Sequence, residues 1–557
     1  VYKRQLIESV EFRKGPYHAG VGDFSSTGSA QLSTFRVLPQ SMLKIGIGQD
    51  GYRRVLVADS IDTGSGSLLY AAQGHVYDGP WVDISEDLQR LNGVLRYSQQ
   101  DERGTDWDIM LMGYDASWNS PDQIPQRAID SGLIDRLGSL DTTLGGETSR
   151  YSVSGSLLYP LDNNRHLHAR AYVIDYDLDL FSNFTYLLDD PVNGDQFEQV
   201  DQRTVLGGDL SYLWSVSNKT ETTYTVGVSL RHDDIDEVGL FRTQNQERLS
   251  TVRSDKVLQS SVGVYAQAET RWSDRWRTQL GLRADFYDFS VQSNLQANSG
   301  DTNDAILAPK LSVVYALNTE SELYLSTGRG FHSNDARGTT IQVDPNSGAP
   351  VERVDPLVAS TGAEVGFRTF LNEKLNLSAS LWYLDLDSEL LFVGDAGITE
   401  PSRPSRRYGI ELPIYYRLGN WVFDLELALT RSRYTDDDPA GDKIPGSIER
   451  VIAAGVAMQY PNGIYGSLRG RHFGDRPLTE DGTVYSESST VFSLLLGYRR
   501  DSIDFRLEAL NLLNAEDQDI AYYYASRLEE ESTEGVEDIH LHPMEPRTVR
   551  ASVTWSF

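Results

Sequence analysis

The chain ends on Val549-Arg550-Ala551-Ser552-Val553-Thr554-Trp555-Ser556-Phe557, an unbroken alternation of apolar and polar residues. A period of two puts Val549, Ala551, Val553, Trp555 and Phe557 on one side of a pleated strand and Arg550, Ser552, Thr554 and Ser556 on the other. One face needs core or lipid, the other water. The same alternation recurs upstream. Val262, Val264, Ala266 and Ala268 oppose Tyr265, Gln267 and Glu269; Trp276, Thr278, Leu280, Leu282 and Ala284 oppose Arg277, Gln279, Arg283 and Asp285; Trp421, Phe423, Leu425, Leu427 and Leu429 oppose Asp424, Glu426 and Thr430. A dry core would tolerate such charged faces only if every charge were paired, whereas a wet lumen accepts them.

At 557 residues the chain is too long for one ordinary globular core, yet no linker or low-complexity segment divides it. Apolar runs such as Val451 to Met458 fall well short of the ~20 residues of a transmembrane helix, so any membrane crossing must use strands. The net charge of -31 argues against a nucleic-acid partner. The absence of Cys excludes a disulfide scaffold and thiolate metal sites. Val1-Tyr2-Lys3-Arg4 opens without a signal peptide, which is read as a removed start or a fragment.

Short connections alternate with long ones. Leu161 to Arg165, Val216 to Lys219, Ser273 to Arg275, Leu371 to Lys374 and Arg500 to Ser502 are short, while Ser117 to Gly146, Ser182 to Val200, Phe331 to Pro356, Tyr434 to Ile444, Arg476 to Ser488 and Ala525 to Glu545 are long. That rhythm predicts an all-β fold: a large transmembrane antiparallel β-barrel of about 22 strands, with short turns on one rim and long loops on the other. Such a barrel is wide enough to need a plug. The predicted division is 1–38 as the end of a plug and 39–557 as barrel, closed by the last strand pairing with Met42 to Gln49.

Before the first barrel strand stand Ile7-Glu8-Ser9-Val10-Glu11, Lys14-Gly15-Pro16, Gly22-Asp23 and Gly28 ahead of a short strand. This ordered set resembles the final part of the plug domain of TonB-dependent outer-membrane receptors. Ala363 to Arg368, Tyr408 to Leu412 and Leu510 to Asn514 resemble barrel strands of that family, and the terminal strand resembles its outer-membrane insertion signal. The resemblance implies that the first part of the plug, the TonB-contacting box and the signal peptide are missing, which is taken as truncation. It also implies a lock in which Lys14 pairs with Glu364 and Glu411, although Lys stands where the family usually has Arg and so lacks the bidentate fork.

Several groups are candidate ligand contacts. Gly328 to Gly338 brings Arg329, His332, Asp335 and Arg337 near the mouth, and Arg offers paired donors to an anionic ligand; equally, these residues organise the loop. Tyr17 and His18 are similar candidates in the plug. His540 and His542 share a strand face and could reach one metal ion, but without a third ligand a solvated loop is favoured. The runs Asp436 to Asp438 and Glu529 to Glu531 could bind Ca²⁺ or bridge lipopolysaccharide, or simply be solvated. No phosphate loop or nucleophile elbow stands out, so no cofactor, catalytic residue or enzyme activity is expected.

The resemblance implies a receptor of the Gram-negative outer membrane that captures a scarce nutrient, such as siderophore-iron, and imports it to the periplasm. The expected partners are a TonB-ExbB-ExbD complex acting through the absent amino-terminal part, outer-membrane lipid and lipopolysaccharide, and a small-molecule or metal-chelate substrate, with the receptor monomeric. A passive porin-like channel and an outer-membrane barrel enzyme using rim His and Asp remain as alternatives. Large conductance without TonB would mark the first, and a compact His/carboxylate group the second.

Overall fold

The computed structural model describes residues 4–393 and 398–557, with backbone alone at 4, 390–393 and 398–401. Among them, 22 antiparallel strands close into one barrel. The seam joins the ends of the chain: Thr548–Ser556 pairs with Met42–Gly48 in register from Arg550↔Gly48 to Ser556↔Met42. The Phe557 amide donates to the Ser41 carbonyl at 3.1 Å, which puts the carboxy terminus on the short-turn rim.

On that rim every connection has two to five residues. The opposite rim carries the long loops, with two short exceptions: four residues join Met42–Gly48 to Arg53–Asp62, and a second connection, which the sequence rhythm misses, is shorter still. Glu221–Gln244 and Glu247–Arg271, of 24 and 25 residues, meet across Asn245-Gln246, whose φ angles are 52° and 66°. A two-residue hairpin of type I′ needs positive φ at both central positions. Because neither residue is Gly, the turn has no sequence signature.

The faces of the wall invert the soluble arrangement. Leu280 and Leu282 are 55% and 48% exposed on the outside, whereas Arg283 and Asp285, their neighbours on the same strand, are 5% and 2% exposed inside. Trp214 stacks on Tyr212 and Tyr224 near one edge of the apolar band, and Trp276 lies against Tyr315 at the same edge. An apolar band edged by aromatic rings is the surface a bilayer requires.

Within the barrel, Ile7–Lys14 and Gly28–Thr34 form a separate two-stranded sheet. Leu6 anchors its base, buried with Leu38, Ala58, Leu69 and Ala71. A second element enters the lumen from above. The strand Ser321–Ser333 pairs with Gly300–Ala316 only from Gly328 downward; above that point it leaves its neighbour and turns inward. Phe331 is thereby 1% exposed, packed with Tyr287, Phe289, Val291, Val257 and Leu357, and the following short helix Ala336–Thr340 is carried in with it.

Three outer loops join into a cap. Ile124–Pro125, Gln518–Ser526 and Val536–Pro543 make a three-stranded sheet, and Ile124, Leu478, Ala521 and Leu541 form its small core. Arg127 binds Glu531 through two 2.8 Å hydrogen bonds, so one member of the acidic run Glu529 to Glu531 has a defined partner rather than water alone. His540 is fully buried in the cap, its Nε2 2.7 Å from Ser526 Oγ and its ring stacked on Tyr524 at 3.7 Å.

Two outcomes follow from these surfaces. Leu280→Arg, at the centre of the outward band, should cost about 2–4 kcal/mol in urea titrations of folding into lipid vesicles, whereas Glu426→Gln on the lumen face should cost less than ~1 kcal/mol; equal costs would refute the assigned faces. Burial pushes the His540 imidazole down to about 4, below its ordinary value of 6.5. The unfolded cap then binds the proton more readily, so stability is complete above pH 6.5 and is lost as pH falls through the window to about 4. Limited proteolysis of loop 511–547 should therefore accelerate between pH 7 and pH 5, and the acceleration should vanish in His540→Ala.

Candidate functional site

The polypeptide between the two inner strands is shaped by its turns. Gly15 has φ +61° and Gly28 φ +135°, conformations that L side chains rarely adopt, and the Gly15 amide donates to Thr27 O at 3.0 Å, closing a loop over residues 15–27. Pro16 at its base enters a slot in the wall. A Cβ added at Gly328 would lie 2.4 Å from Pro16 O, one at Gly330 2.9 Å from Pro16 Cβ, and one at Gly362 2.8 Å from Pro16 Cδ. Three barrel glycines on two paired strands thus admit one proline. Lys310 completes the slot, its Nζ donating to Pro16 O at 2.8 Å and Arg329 O at 3.1 Å. Sequence reasoning missed Lys310, although its place on an inward parity between Pro309 and Leu311 was a readable signal.

Further along the loop the contacts stay polar. The Ala19 amide donates to Gln267 Oε1 at 3.2 Å, and Arg283, paired with Asp285, reaches Ala19 O at 3.4 Å. Asp23 accepts from Tyr287 Oη at 3.1 Å, the Ser333 amide at 2.7 Å and Ser333 Oγ at 2.5 Å. These bonds tie the apex to the inturned strand. Beside them Phe24 adopts φ 56° and is 57% exposed, its ring 6.0 Å from that of His332. A non-glycine residue held in the left-handed region with its aromatic face bare is a feature that clusters at ligand sites. Nothing in the sequence around Phe24 announces it.

The candidates named from sequence are distributed as follows. Lys14 Nζ makes an ion pair with Glu411, half exposed in the lumen. Glu364 instead accepts from Tyr324 Oη, so the structure joins Lys14 to one of its two expected glutamates. Tyr17 is buried, and burial, then the nearby Glu364, raises its phenol well above the ordinary range. His18 Nδ1 lies 3.3 Å from Gln279 Nε2. Burial and then the Arg13 and Lys310 cations lower its pKa, keeping it neutral near pH 7.

His332 is brought to the apex beside Phe24 and Asp23. Arg329 is not. It is exposed with Leu323 and Leu325, whose odd positions face outward, because alternation puts residues 329 and 332 on opposite sides of one strand. Asp335 and Arg337 are turned toward each other: Arg337 Nη2 and Nε donate to Asp335 at 2.7–3.2 Å, and the Arg337 amide donates to the same carboxylate at 2.9 Å, capping the short helix. Burial opposes the charge on Asp335, but the Arg337 guanidinium outweighs it and holds the carboxyl below its usual range. His540 and His542 belong to the cap, His540 against Ser526 and His542 with its ring 5.0 Å from Trp81. Among the described residues no three His, Asp or Glu side chains gather as a metal site.

Beside the apex a polar cavity of about 880 Å³ separates loop residues His18 to Asp23 from wall residues that include Arg170, Tyr172, Arg231 and Tyr265. The lumen is therefore only partly filled beside the loop.

A family model described as TonB dependent receptor-like, beta-barrel matches residues 52–514. Among solved structures, the ferric citrate transporter FecA in its unliganded form is 13% identical, over 100% of this chain and 84% of that one, with a TM-score of 0.81. The ferric yersiniabactin uptake receptor FyuA from Yersinia pestis is 14% identical over 99% and 85%, with a TM-score of 0.78. The copper transporter OprC is 17% identical over 98% and 85%, with a TM-score of 0.74. At these identities the structures share the fold, and the family match spans most of the sequence. The chain belongs to the TonB-dependent receptor family.

Proposed function

We propose that this protein is an outer-membrane receptor that takes up a metal ion or metal chelate from outside a Gram-negative cell, and passes it to the periplasm with energy delivered by TonB, ExbB and ExbD. The supporting observation is the plug-like segment seated in the lumen, with Pro16 in its glycine slot, Asp23 held by three hydrogen bonds and Lys14 on Glu411. Residues 1–38 are read as the end of a plug, of which 1–3 lie outside the described residues, and 39–557 as the barrel; the working unit is a monomer. An occluding segment tied to the wall suits gated transport and opposes a standing pore. The metal cargo is suggested by the similar folds named as ferric citrate, ferric yersiniabactin and copper transporters.

In this reading Phe24, with His332 beside it, is the contact surface for the cargo at the apex, and Lys14 with Glu411 holds the segment to the wall until it is pulled. The cargo binds without chemistry, as suits a family of receptors and transporters.

Uptake of radiolabelled iron and copper, free and as hydroxamate, catecholate and carboxylate chelates, should depend on the full-length gene and stop when TonB is deleted. TonB-independent uptake together with large single-channel conductance would favour the porin instead. For the chelate that is taken up, Phe24→Ala should weaken binding about tenfold, or ~1.4 kcal/mol, by calorimetry on the purified receptor. The Lys14–Glu411 pair is half exposed, so a double-mutant cycle on folding should give a coupling of only about 0.2–1 kcal/mol. If it acts as a catch, Lys14→Ala should change the rate of uptake while leaving the affinity unaltered.

A further inference from the structure

Between Gly300–Ala316 and Ser321–Ser333 the wall forks. The ladder runs in one register from Ala316↔Glu322 to Lys310↔Gly328 and stops there, although both strands go on. Among the described residues no other strand takes up the edge of 300–309 that faces the fork. In an antiparallel pair the backbone groups point alternately toward the partner and away from it. At the base of this hairpin the Leu317 amide donates to Ser321 O, whereas the Ala316 amide donates to Arg275 O and the Asn334 amide to Pro356 O, on the far sides. Odd-numbered residues of both strands therefore turn their backbone groups toward each other. Above Lys310 the groups that face the gap are those of Pro309, Leu307 and Ala305 on one strand, and of Arg329, Phe331 and Ser333 on the other.

Several of these groups are served by substitutes. Pro309 has no amide to satisfy. The Ala305 amide donates to its neighbour Asp304 Oδ1 at 2.7 Å. Arg329 O accepts from Lys310 Nζ at 3.1 Å, and the Ser333 amide donates to Asp23 Oδ1 at 2.7 Å. Lys310 also holds Pro16 O, and Asp23 belongs to the same lumen segment. Segment 15–27 thus stands in for Gly300–Ala316 as the partner of the inturned strand, with Pro16 wedged against Gly328 and Gly330 where the ladder breaks off.

Carried on, the register would bring Leu307 opposite Phe331 and Ala305 opposite Ser333. The side chains suit that pairing. Phe331 would turn outward in line with Leu323 and Leu325, beside Leu307, which is already 51% exposed on the apolar face. Ala308, buried on the lumen side, would meet Gly330. Phe331 now packs on Tyr287, Phe289 and Val291, so its ring would exchange one apolar setting for another without meeting water.

We propose that the upper end of Ser321–Ser333 is a gate with two positions. It is tied inward by Asp23 and Pro16 while segment 15–27 is seated, and it zips onto Leu307 and Ala305 when that segment withdraws. Its pairing with Leu357–Leu371, up to Ser333↔Leu357, is kept in both positions. Zipping draws the strand from the lumen into the wall and widens the passage as the segment leaves it. The gate rests on the displaceable segment of the proposed function, but not on its cargo or on TonB.

The test uses full-length protein in detergent micelles. Asp23→Ala removes the substitute partner without touching either strand, and Gly330→Ala crowds Pro16 out of its slot. By hydrogen exchange with mass spectrometry, residues 303–309 should exchange at least tenfold more slowly in each variant than in wild type, because Ala305 and Leu307 gain a ladder. Simple destabilisation moves exchange the other way. This chain contains no Cys, so A305C/S333C can report the pairing directly. Under mild oxidation it should cross-link at least tenfold faster with Asp23→Ala than without, while V313C/L325C, opposite each other below the fork, should cross-link equally in both backgrounds. The heat-dependent gel shift of a folded barrel checks each variant. Unchanged or faster exchange at 303–309, or equal cross-linking of A305C/S333C in the two backgrounds, would overturn the gate. Slower exchange together with uptake that does not need TonB would leave the gate standing and remove the energised transport.

Discussion

The pairing of Thr548–Ser556 with Met42–Gly48 is the interaction on which the rest depends. A strand edge exposed to hydrocarbon leaves backbone donors and acceptors unpaired, at several kcal/mol for each group. Closure removes that edge, and only then does the alternation of faces acquire meaning, with one side fixed as exterior and the other as lumen. Arg283 and Asp285 can be buried inside because the exterior is paid over to Leu280 and Leu282. The aromatic edge, the charged outer rim and the plug contacts all inherit their direction from the same seam.

Two elements then occupy the interior by different physics. The inturned end of Ser321–Ser333 is held by apolar packing, with Phe331, Tyr287, Phe289 and Val291 excluding water from a true core. The segment 15–27 is held by hydrogen bonds and by steric fit of Pro16 against three glycines. Both are joined at Asp23, whose carboxylate bridges the apex to Ser333 and Tyr287. A shift of the apex therefore requires the inturned strand to surrender those bonds, which couples the outer vestibule to the plug without any long-range pathway.

Local periodicity made the wall legible and left the interior hidden. Alternation is a property of each strand by itself, so Val262 to Glu269 and Trp421 to Thr430 could be oriented before any contact was known, and the closing seam followed from them. The same rule, applied from Leu323 through Leu325, would have placed Arg329 outside; grouping it with His332 as a ligand contact followed nearness in sequence rather than strand geometry. The departure of Ser321–Ser333 from its neighbour, the cap built from three loops and the pairing of Arg127 with Glu531 join residues far apart in the chain. No short-range signal encodes them. Of the expected lock, the Lys14–Glu411 contact is present, and Glu364 is taken by Tyr324.

On the proposed function the segment 15–27 moves and returns, and such a segment needs contacts that can be exchanged with water at little cost. Exposed or half-exposed ion pairs contribute at most about 1 kcal/mol because each partner recovers its hydration when separated, and a typical hydrogen bond nets only ~0.5–1.5 kcal/mol for the same reason. The Lys14–Glu411 pair is of this kind, and although the bonds to Ala19 and Asp23 involve buried groups, they border a cavity of about 880 Å³ with room for water that could take their place. Apolar packing offers no such exchange, since exposed side chains gain nothing from the solvent they meet. The division of the lumen into an apolar inturned strand and a hydrogen-bonded segment thus suits the first to rigidity while the segment is seated and, on the proposed function, the second to reversible displacement.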